Sequence, residues 1–265
     1  MTGQENITFP LTEQNVKAEE VKMRLDAVAK VLHIEHILHK NPAQMSGGER
    51  QRIALGRAFI TDSEAMLLDE PIAALDARLR EEMRIELKRL QREKKQTFIY
   101  VSHDEEEVLA ISDRVAIVID GQIAQVGTPT EIYDYPKSIS VGGVVGSPPM
   151  NFFSGHISEK SDRFICEKFQ IAFVEKFSSP EDSSVTLGVR PEDLWITDKL
   201  DENGFEVDVT SSEPLGSYTV INAKLDNQDL KIRVQGQRMM SMGEKINLLV
   251  DQRKMHIFDV NGNRI

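Results

Sequence analysis

Several things are scarce in this sequence of 265 residues, and each scarcity argues against a class of protein. Cys166 is the only cysteine, so no intrachain disulfide can form, and a reducing compartment is the simplest setting. No apolar run approaches the roughly 18 residues of a membrane-spanning helix, so we expect any membrane association to come through a partner. Basic residues (32) are outnumbered by acidic ones (43). The net charge of −11 argues against nucleic acid or an anionic membrane as a ligand, because both require a basic face.

The most informative feature that is present is the run Ser46-Gly47-Gly48-Glu49 at the predicted start of a helix. Each glycine costs about 1 kcal/mol against alanine inside a helix, so two together indicate a place where something approaches the backbone closely. A phosphate suits a helix N-terminus, which offers unpaired N–H groups and partial positive charge. Ser46 and Glu49 also have the spacing of a capping box, but that alternative leaves the two glycines unexplained.

A second group of polar residues follows two predicted strands. The apolar run from Met66 to Leu68 ends in Asp69 and Glu70, and the run from Thr97 to Val101 leads to His103 and Asp104. Such short apolar runs predict parallel strands buried on both faces, whose carboxyl ends meet at the edge where ligands bind.

The residues at this edge suggest phosphate chemistry. Asp69 is placed to hold Mg²⁺, directly or through water, and Glu70 to orient an attacking water. His103 is a candidate contact for a terminal phosphate. The alternatives are that His103 is structural and that Asp104 only caps the helix predicted from Glu105 to Ala110.

Together these motifs resemble the ATPase subunit of an ABC transporter, in the carbohydrate-importer branch typified by the maltose and glycerol-3-phosphate systems. Ser46 to Glu49 matches the signature motif and Met66 to Glu70 the Walker B motif. Ala73-Ala74-Leu75-Asp76 matches the D-loop and His103 the switch histidine. The resemblance continues through residues 121–129, 146–152 and 188–193, and so covers nearly the whole chain. Met45, Glu49 and Ala73 depart from the usual residues, and Ala73 puts one polar contact across a dimer in doubt.

The resemblance implies a cofactor, two kinds of partner and a location. It implies ATP and Mg²⁺, with Glu70 and His103 as catalytic residues and Asp69 at the metal. Ser46, Gly47, Gly48, Glu49 and Asp76 would bind nucleotide, with the signature acting on the site of a second ATPase subunit in a head-to-tail dimer. Permease subunits would dock on the helical subdomain, around the segment before Met45. The protein would then lie on the cytoplasmic face of the bacterial inner membrane.

One part of the family pattern is missing from the sequence. None of the 16 glycines is followed by lysine, so there is no G-x-x-x-x-G-K-[ST] loop to cradle phosphates, and the family's glutamine-bearing Q-loop is absent too. We therefore expect the chain to begin inside an ABC domain, as a truncated or interrupted product or a fragment. The alternative function is a catalytically inactive remnant with an interaction or regulatory role. An ABC-type DNA-repair ATPase is disfavoured, because no sustained heptads indicate a coiled coil.

The predicted fold class is α/β followed by a small all-β domain. Residues 1–140 are predicted to form a partial nucleotide-binding domain with helical subdomain and partial RecA-like core. Within it, helices are expected over 17–38 and 77–94 and a hairpin over 114–126. Small residues and prolines predict a linker over 141–150. Alternating apolar residues around 169–173, 230–234 and 246–250 predict half-buried strands in residues 151–265, which the resemblance identifies as an OB-like regulatory domain. OB folds often bind oligonucleotides, but the acidic charge favours regulation.

Overall fold

The computed structural model describes residues 1–158, 160–174 and 184–265. Packing divides the chain into two compact units, residues 1–113 and 114–265, which are described separately. The first unit contains helices α1 Gly3–Glu13, α2 Ala18–Val31, α3 Gly47–Phe59, α4 Ala77–Lys94 and α5 Glu105–Ile111, strands β1 Ala65–Asp69 and β2 Thr97–Val101, and short 3₁₀ turns at Glu35–Ile37 and Pro42–Gln44.

Two helices of the first unit, α2 and α4, lie where the apolar spacing predicts them, and the predicted bounds of one need correction. Helix α4 has the predicted bounds, and it buries Met83 and Leu87 while its charged side faces solvent. The helix predicted over 17–38 is too long, because α2 ends at Val31 and only a 3₁₀ turn follows at Glu35–Ile37. His33 has φ of 52°, a left-handed conformation that an α-helix cannot continue through.

Strands β1 and β2 pair in parallel, with Ala65 opposite Thr97 and Asp69 opposite Val101. The prediction of burial on both faces is wrong. Met66 and Leu68 are buried beneath the helices, whereas Leu67 is 76% exposed and Ile99 is 53% exposed. In the described part of the first unit, other elements pack against only one face of this two-stranded sheet. Leu67 and Ile99 point to the opposite face and are therefore exposed.

The second unit begins with the predicted hairpin, β3 Val115–Ile119 and β4 Gln122–Gly127, followed by helices α6 Pro129–Asp134 and α7 Ile139–Val144. Ten further strands form two five-stranded antiparallel sheets, in the orders β12-β11-β10-β13-β9 and β14-β8-β5-β6-β7. Their bounds are β5 Asn151–Ile157, β6 Arg163–Ile165, β7 Gln170–Ala172, β8 Ser184–Val189, β9 Leu194–Thr197, β10 Gly204–Pro214, β11 Tyr218–Leu225, β12 Gln228–Gln235, β13 Lys245–Val250 and β14 His256–Phe258.

The alternation predicted for the second half of the sequence is confirmed in these sheets. Leu230 and Ile232 of β12, and Ile246 and Leu248 of β13, point into one apolar core shared by both sheets. Four phenylalanines pack together in that core, and the rings of Phe169 and Phe205 stack with centroids 4.3 Å apart. A mixed α/β region is thus followed by a β-rich region with its own core.

The segment predicted as a linker over 141–150 has structure of its own. Val141 in α7 is fully buried, and the buried Arg190 donates to the Val145 carbonyl at 2.7 Å and to the Tyr133 carbonyl at 2.5 Å. Its guanidinium also stacks on the Tyr133 ring. Residues 133–145 therefore pack with the β-sheets, and the domain boundaries at 140 and 150 stay a prediction.

Candidate functional site

The signature run starts helix α3 with a complete capping box. The Ser46 hydroxyl accepts from the Glu49 N–H at 3.2 Å, and the Glu49 carboxylate accepts from the Ser46 N–H at 2.7 Å. Lys40 lies 2.9 Å from the other Glu49 oxygen. The hydrogen bonds from Lys40 and from the Ser46 backbone lower the pKa of Glu49 to about 2, so this carboxylate is ionised at neutral pH.

The two glycines of the run have different surroundings. A Cβ at Gly48 would lie 3.0 Å from the Ala74 carbonyl oxygen and 3.1 Å from a Leu75 methyl, so the close approach of the 73–76 loop explains this glycine. A Cβ at Gly47 would meet nothing within 4 Å. The protein's own packing therefore accounts for Gly48 and leaves Gly47 facing open space.

Asp69 lies at the carboxyl end of β1 and is exposed. Within the described residues, its carboxylate takes part in no hydrogen bond or ion pair. No cluster of three or more metal-ligating side chains occurs in the described residues. A single free carboxylate suits Mg²⁺, which commonly takes one or two protein carboxylates and fills its other positions with water and substrate phosphates.

Glu70 and His103 are brought together, as the strand order predicts. One Glu70 carboxylate oxygen lies 2.6 Å from His103 Nδ1 and accepts from the His103 backbone N–H at 3.0 Å. The hydrogen bond with Glu70 raises the pKa of His103, an exposed residue. The second Glu70 oxygen makes no hydrogen bond within the described residues and is free to accept from a water.

Glu70 has a strained backbone. Its φ is 47°, in the left-handed region that costs a non-glycine residue about 1–2 kcal/mol. Its N–H donates to the Val101 carbonyl at 2.9 Å, and its carbonyl accepts from the Gln51 side chain at 2.6 Å. Each such bond contributes a net of about 0.5–1.5 kcal/mol, so the contacts together can hold the strained conformation.

Asp76 and Asp104 act as N-caps in this structure. The Asp76 carboxylate accepts from the Leu79 N–H at 3.0 Å at the start of α4, and the Asp104 carboxylate accepts from the Glu107 N–H at 3.1 Å at the start of α5. The capping expected of Asp104 is therefore confirmed, but capping is not its whole role, because its second carboxylate oxygen lies 3.5 Å from the Arg80 guanidinium.

Two residues around the site carry roles that motif spacing does not indicate. Gln51, one turn into α3, donates to the Glu70 carbonyl and accepts from the Ala74 N–H at 3.0 Å. Arg80 donates to the Leu75 carbonyl at 3.2 Å and lies 3.5 Å from the Asp104 carboxylate. The sequence indicates these roles only weakly, by the position of each residue one turn into a helix that begins at a motif: α3 after Ser46 and α4 after Asp76.

The residues present fit a nucleotide and its metal at two points. The open space at Gly47 adjoins a helix N-terminus, where backbone N–H groups favour an anionic oxygen. The free carboxylate of Asp69 stands beside Glu70 at the carboxyl edge of the strands.

Three known domain families match this chain. Residues 1–73 match the family described as ABC transporter, residues 146–194 the MalK OB fold domain, and residues 187–258 the TOBE domain. The last two confirm an OB-like region after the ABC transporter region. No described helix is both long enough and apolar enough to cross a membrane.

Curated relatives are similar over nearly the whole chain. The oligosaccharides import ATP-binding protein MsmX of Bacillus subtilis is 36% identical, over 98% of this chain and 73% of that protein. The sulfoquinovosyl glycerol transport ATP-binding protein SmoE of Agrobacterium fabrum is 38% identical, over 99% and 74%. The sn-glycerol-3-phosphate import ATP-binding protein UgpC of Vibrio cholerae is 35% identical, over 100% and 71%.

Proposed function

This chain belongs to the family of ABC transporter ATP-binding subunits, and from that premise we propose that it serves an importer of sugars or related small solutes. The observation that carries the ATPase part of the proposal is the contact between Glu70 and His103 at the carboxyl edge of the strands, where Asp69 precedes Glu70. Three relatives are named as ATP-binding proteins for the import of oligosaccharides, the transport of sulfoquinovosyl glycerol and the import of sn-glycerol-3-phosphate, and these names support this solute class.

We propose a division of work among these side chains. Asp69 holds Mg²⁺ of a bound Mg·ATP, Glu70 orients the attacking water, and His103 contacts the terminal phosphate while its Nδ1 stays bonded to Glu70. Mg²⁺ supplies charge neutralisation at the phosphates. Ser46, Gly47 and Gly48 hold the γ-phosphate of a second subunit's nucleotide, Glu49 fixes the start of their helix, and Asp76 contributes to nucleotide binding from the start of α4.

Membrane permease subunits are the partners that we propose for the first unit. A groove of about 480 Å³ lies between α2, the end of α3 and the end of α4. Its floor is apolar, with Val28, Phe59 and Leu90, and its rim carries the ion pair between Arg24 and Asp62 at 2.7 Å. Such a groove suits an amphipathic helix of a permease loop. The protein would then be peripheral on the cytoplasmic face of the bacterial inner membrane.

The proposed function is tested by restoring a phosphate loop. The chain alone, which has no glycine followed by lysine, should bind ATP with no better than roughly millimolar affinity, about −4 kcal/mol, and show no turnover. A fusion that places a G-x-x-x-x-G-K-[ST] segment of a relative ahead of Met1 should hydrolyse Mg·ATP. A fusion that binds ATP tightly but never hydrolyses it would contradict the proposal.

A second candidate, for the sequence as it stands without a glycine–lysine pair, is an inactive subunit that works only through protein contacts. The two candidates differ in the fusion experiment, because an inactive subunit has no reason to keep a working carboxylate edge. Hydrolysis in the fusion that is lost on Glu70→Gln favours the ATPase.

A further inference from the structure

Gln51 makes two hydrogen bonds that connect separate parts of the site. Its side-chain NH₂ donates to the Glu70 carbonyl at 2.6 Å, and its side-chain oxygen accepts from the Ala74 N–H at 3.0 Å. Gln51 itself is half-buried on α3, one turn after the signature glycines. One amide therefore ties the signature helix to the end of β1 and to the 73–76 loop.

The Glu70 contact falls where the backbone needs support. Glu70 has φ of 47°, and Pro71 after it has no N–H to share in holding the turn. The Glu70 carbonyl accepts a long bond from the Ala73 N–H at 3.4 Å, so the shorter bond from Gln51, at 2.6 Å, is the stronger of the two. If the Glu70 peptide relaxed to negative φ, the direction of its side chain would change. The bond from the Glu70 carboxylate to His103, at 2.6 Å, depends on that direction.

We propose that Gln51 is a positioning residue, which holds the Glu70 backbone in its left-handed conformation so that the Glu70 carboxylate faces His103. The catalytic meaning of this inference rests on the proposed function, but the positioning itself does not. Because Gln51 lies on the signature helix, its side chain couples a displacement of that helix to Glu70. Any ligand on the signature run would in this way bias the water-orienting carboxylate.

The experiment follows His103 by NMR in the nucleotide-free chain. The Glu70 carboxylate raises the pKa of His103, and Asp104 and Glu107 add to this. Gln51→Met keeps the bulk of the side chain and removes both hydrogen bonds without changing charge. It should move the His103 pKa down toward 6.5 and speed hydrogen exchange at the Ala74 N–H. His103→Gln assigns the signal among the six histidines.

Gln91→Met is the matched control. Gln91 is another half-buried glutamine of the first unit, and its side chain donates to the Gln96 carbonyl at 3.1 Å, at the far end of α4. It should lower the melting temperature without moving the His103 pKa. If Gln51→Met fails to fold, Gln51→Ala is titrated in its place, with the same expectation.

Two results would overturn the positioning role. One is a Gln51 variant that melts earlier, like the control, while its His103 titration matches the parent. The other is an equal shift of the His103 pKa in both glutamine variants, which would mean a general loosening of the unit. Since no nucleotide is used, a chain that fails as an ATPase would leave this result standing.

Discussion

Alanine at Gly47 should stabilise the first unit, whereas alanine at Gly48 should leave its stability unchanged or lower it. Both residues lie in the first turn of α3, so both substitutions remove glycine flexibility and gain up to about 1 kcal/mol. Only the Gly48 methyl meets an obstacle, the Ala74 carbonyl at 3.0 Å and a Leu75 methyl at 3.1 Å. Overpacking of that kind costs about 1–3 kcal/mol.

The magnitudes decide the signs. Gly47→Ala should raise the free energy of unfolding by up to about 1 kcal/mol, because its methyl enters open space. Gly48→Ala should lie between no change and a loss of about 2 kcal/mol, after the propensity gain offsets part of the clash. The gain in helix propensity is the same for both variants and cancels when they are compared. Their free energies of unfolding should therefore differ by about 1–3 kcal/mol, which corresponds to at least about 4 °C in melting temperature.

The assay must separate the two units of the chain. Far-ultraviolet circular dichroism reports mainly the first unit, which contains the long helices, whereas the single tryptophan, Trp195 in β9, reports the second. Only the dichroism transition should move. Equal destabilisation by the two alanines would refute the reasoning, since it would mean that the space beside Gly47 is not open. In the fusion that carries a phosphate loop, Gly47→Ala should still lower ATP turnover, because the added methyl occupies ligand space.

Three further predictions concern the carboxylate edge, the domain boundary and the second unit's response to acid. In the fusion, Glu70→Gln should keep the affinity for ATP, measured by calorimetry, and lower turnover by orders of magnitude, measured by single-turnover kinetics. Turnover at the parent rate would mean that a residue other than Glu70 orients the attacking water. Residues 114–265 should unfold cooperatively at a higher urea concentration than residues 151–265, because the shorter fragment leaves the Arg190 guanidinium without the Tyr133 and Val145 carbonyls; equal midpoints would refute this. Burial lowers the pKa of His256 to about 4, so the contribution of His256 to stability is present above about pH 6.5 and is lost as the pH falls through 4. Burial and Glu192 raise the pKa of Asp193 to about 6, so the contribution of Asp193 is present below about pH 4 and is lost as the pH rises through 6. The two effects oppose each other between pH 6 and 4, and Asp193→Asn should steepen the acid loss in urea midpoints followed by Trp195 fluorescence; a profile identical to the parent's would contradict this assignment.

Regular periodicity made much of the architecture predictable from the sequence. Helix α4 and the hairpin β3–β4 formed where a 3.6-residue repeat and an Asp-Gly turn placed them. The parallel pairing of β1 and β2 also followed, and with it the meeting of Glu70 and His103. These features depend on local patterns, or on the rule that parallel strands share a carboxyl edge.

The features that sequence did not predict depend on neighbours. Whether Leu67 is buried depends on which elements pack on the second face of the sheet, and the apolar character of Leu67 alone does not determine this. The contacts of Gln51 and Arg80 join residues that are distant in sequence, and glutamine and arginine are common on helix surfaces. Helix α7 was missed because Val141 and Val145 lie among small residues without a sustained repeat.

Capping and ligand binding at the signature run are compatible, because a helix start has more N–H groups than one capping box can satisfy. Here the box uses the N–H groups of Ser46 and Glu49. The N–H groups of Gly47 and Gly48 take part in no hydrogen bond within the described residues. The Ser46 hydroxyl accepts one bond and still has its own proton to donate. The box thus fixes the first turn, and the unused donors are the ones beside the open space at Gly47, where a phosphate oxygen would meet them already oriented.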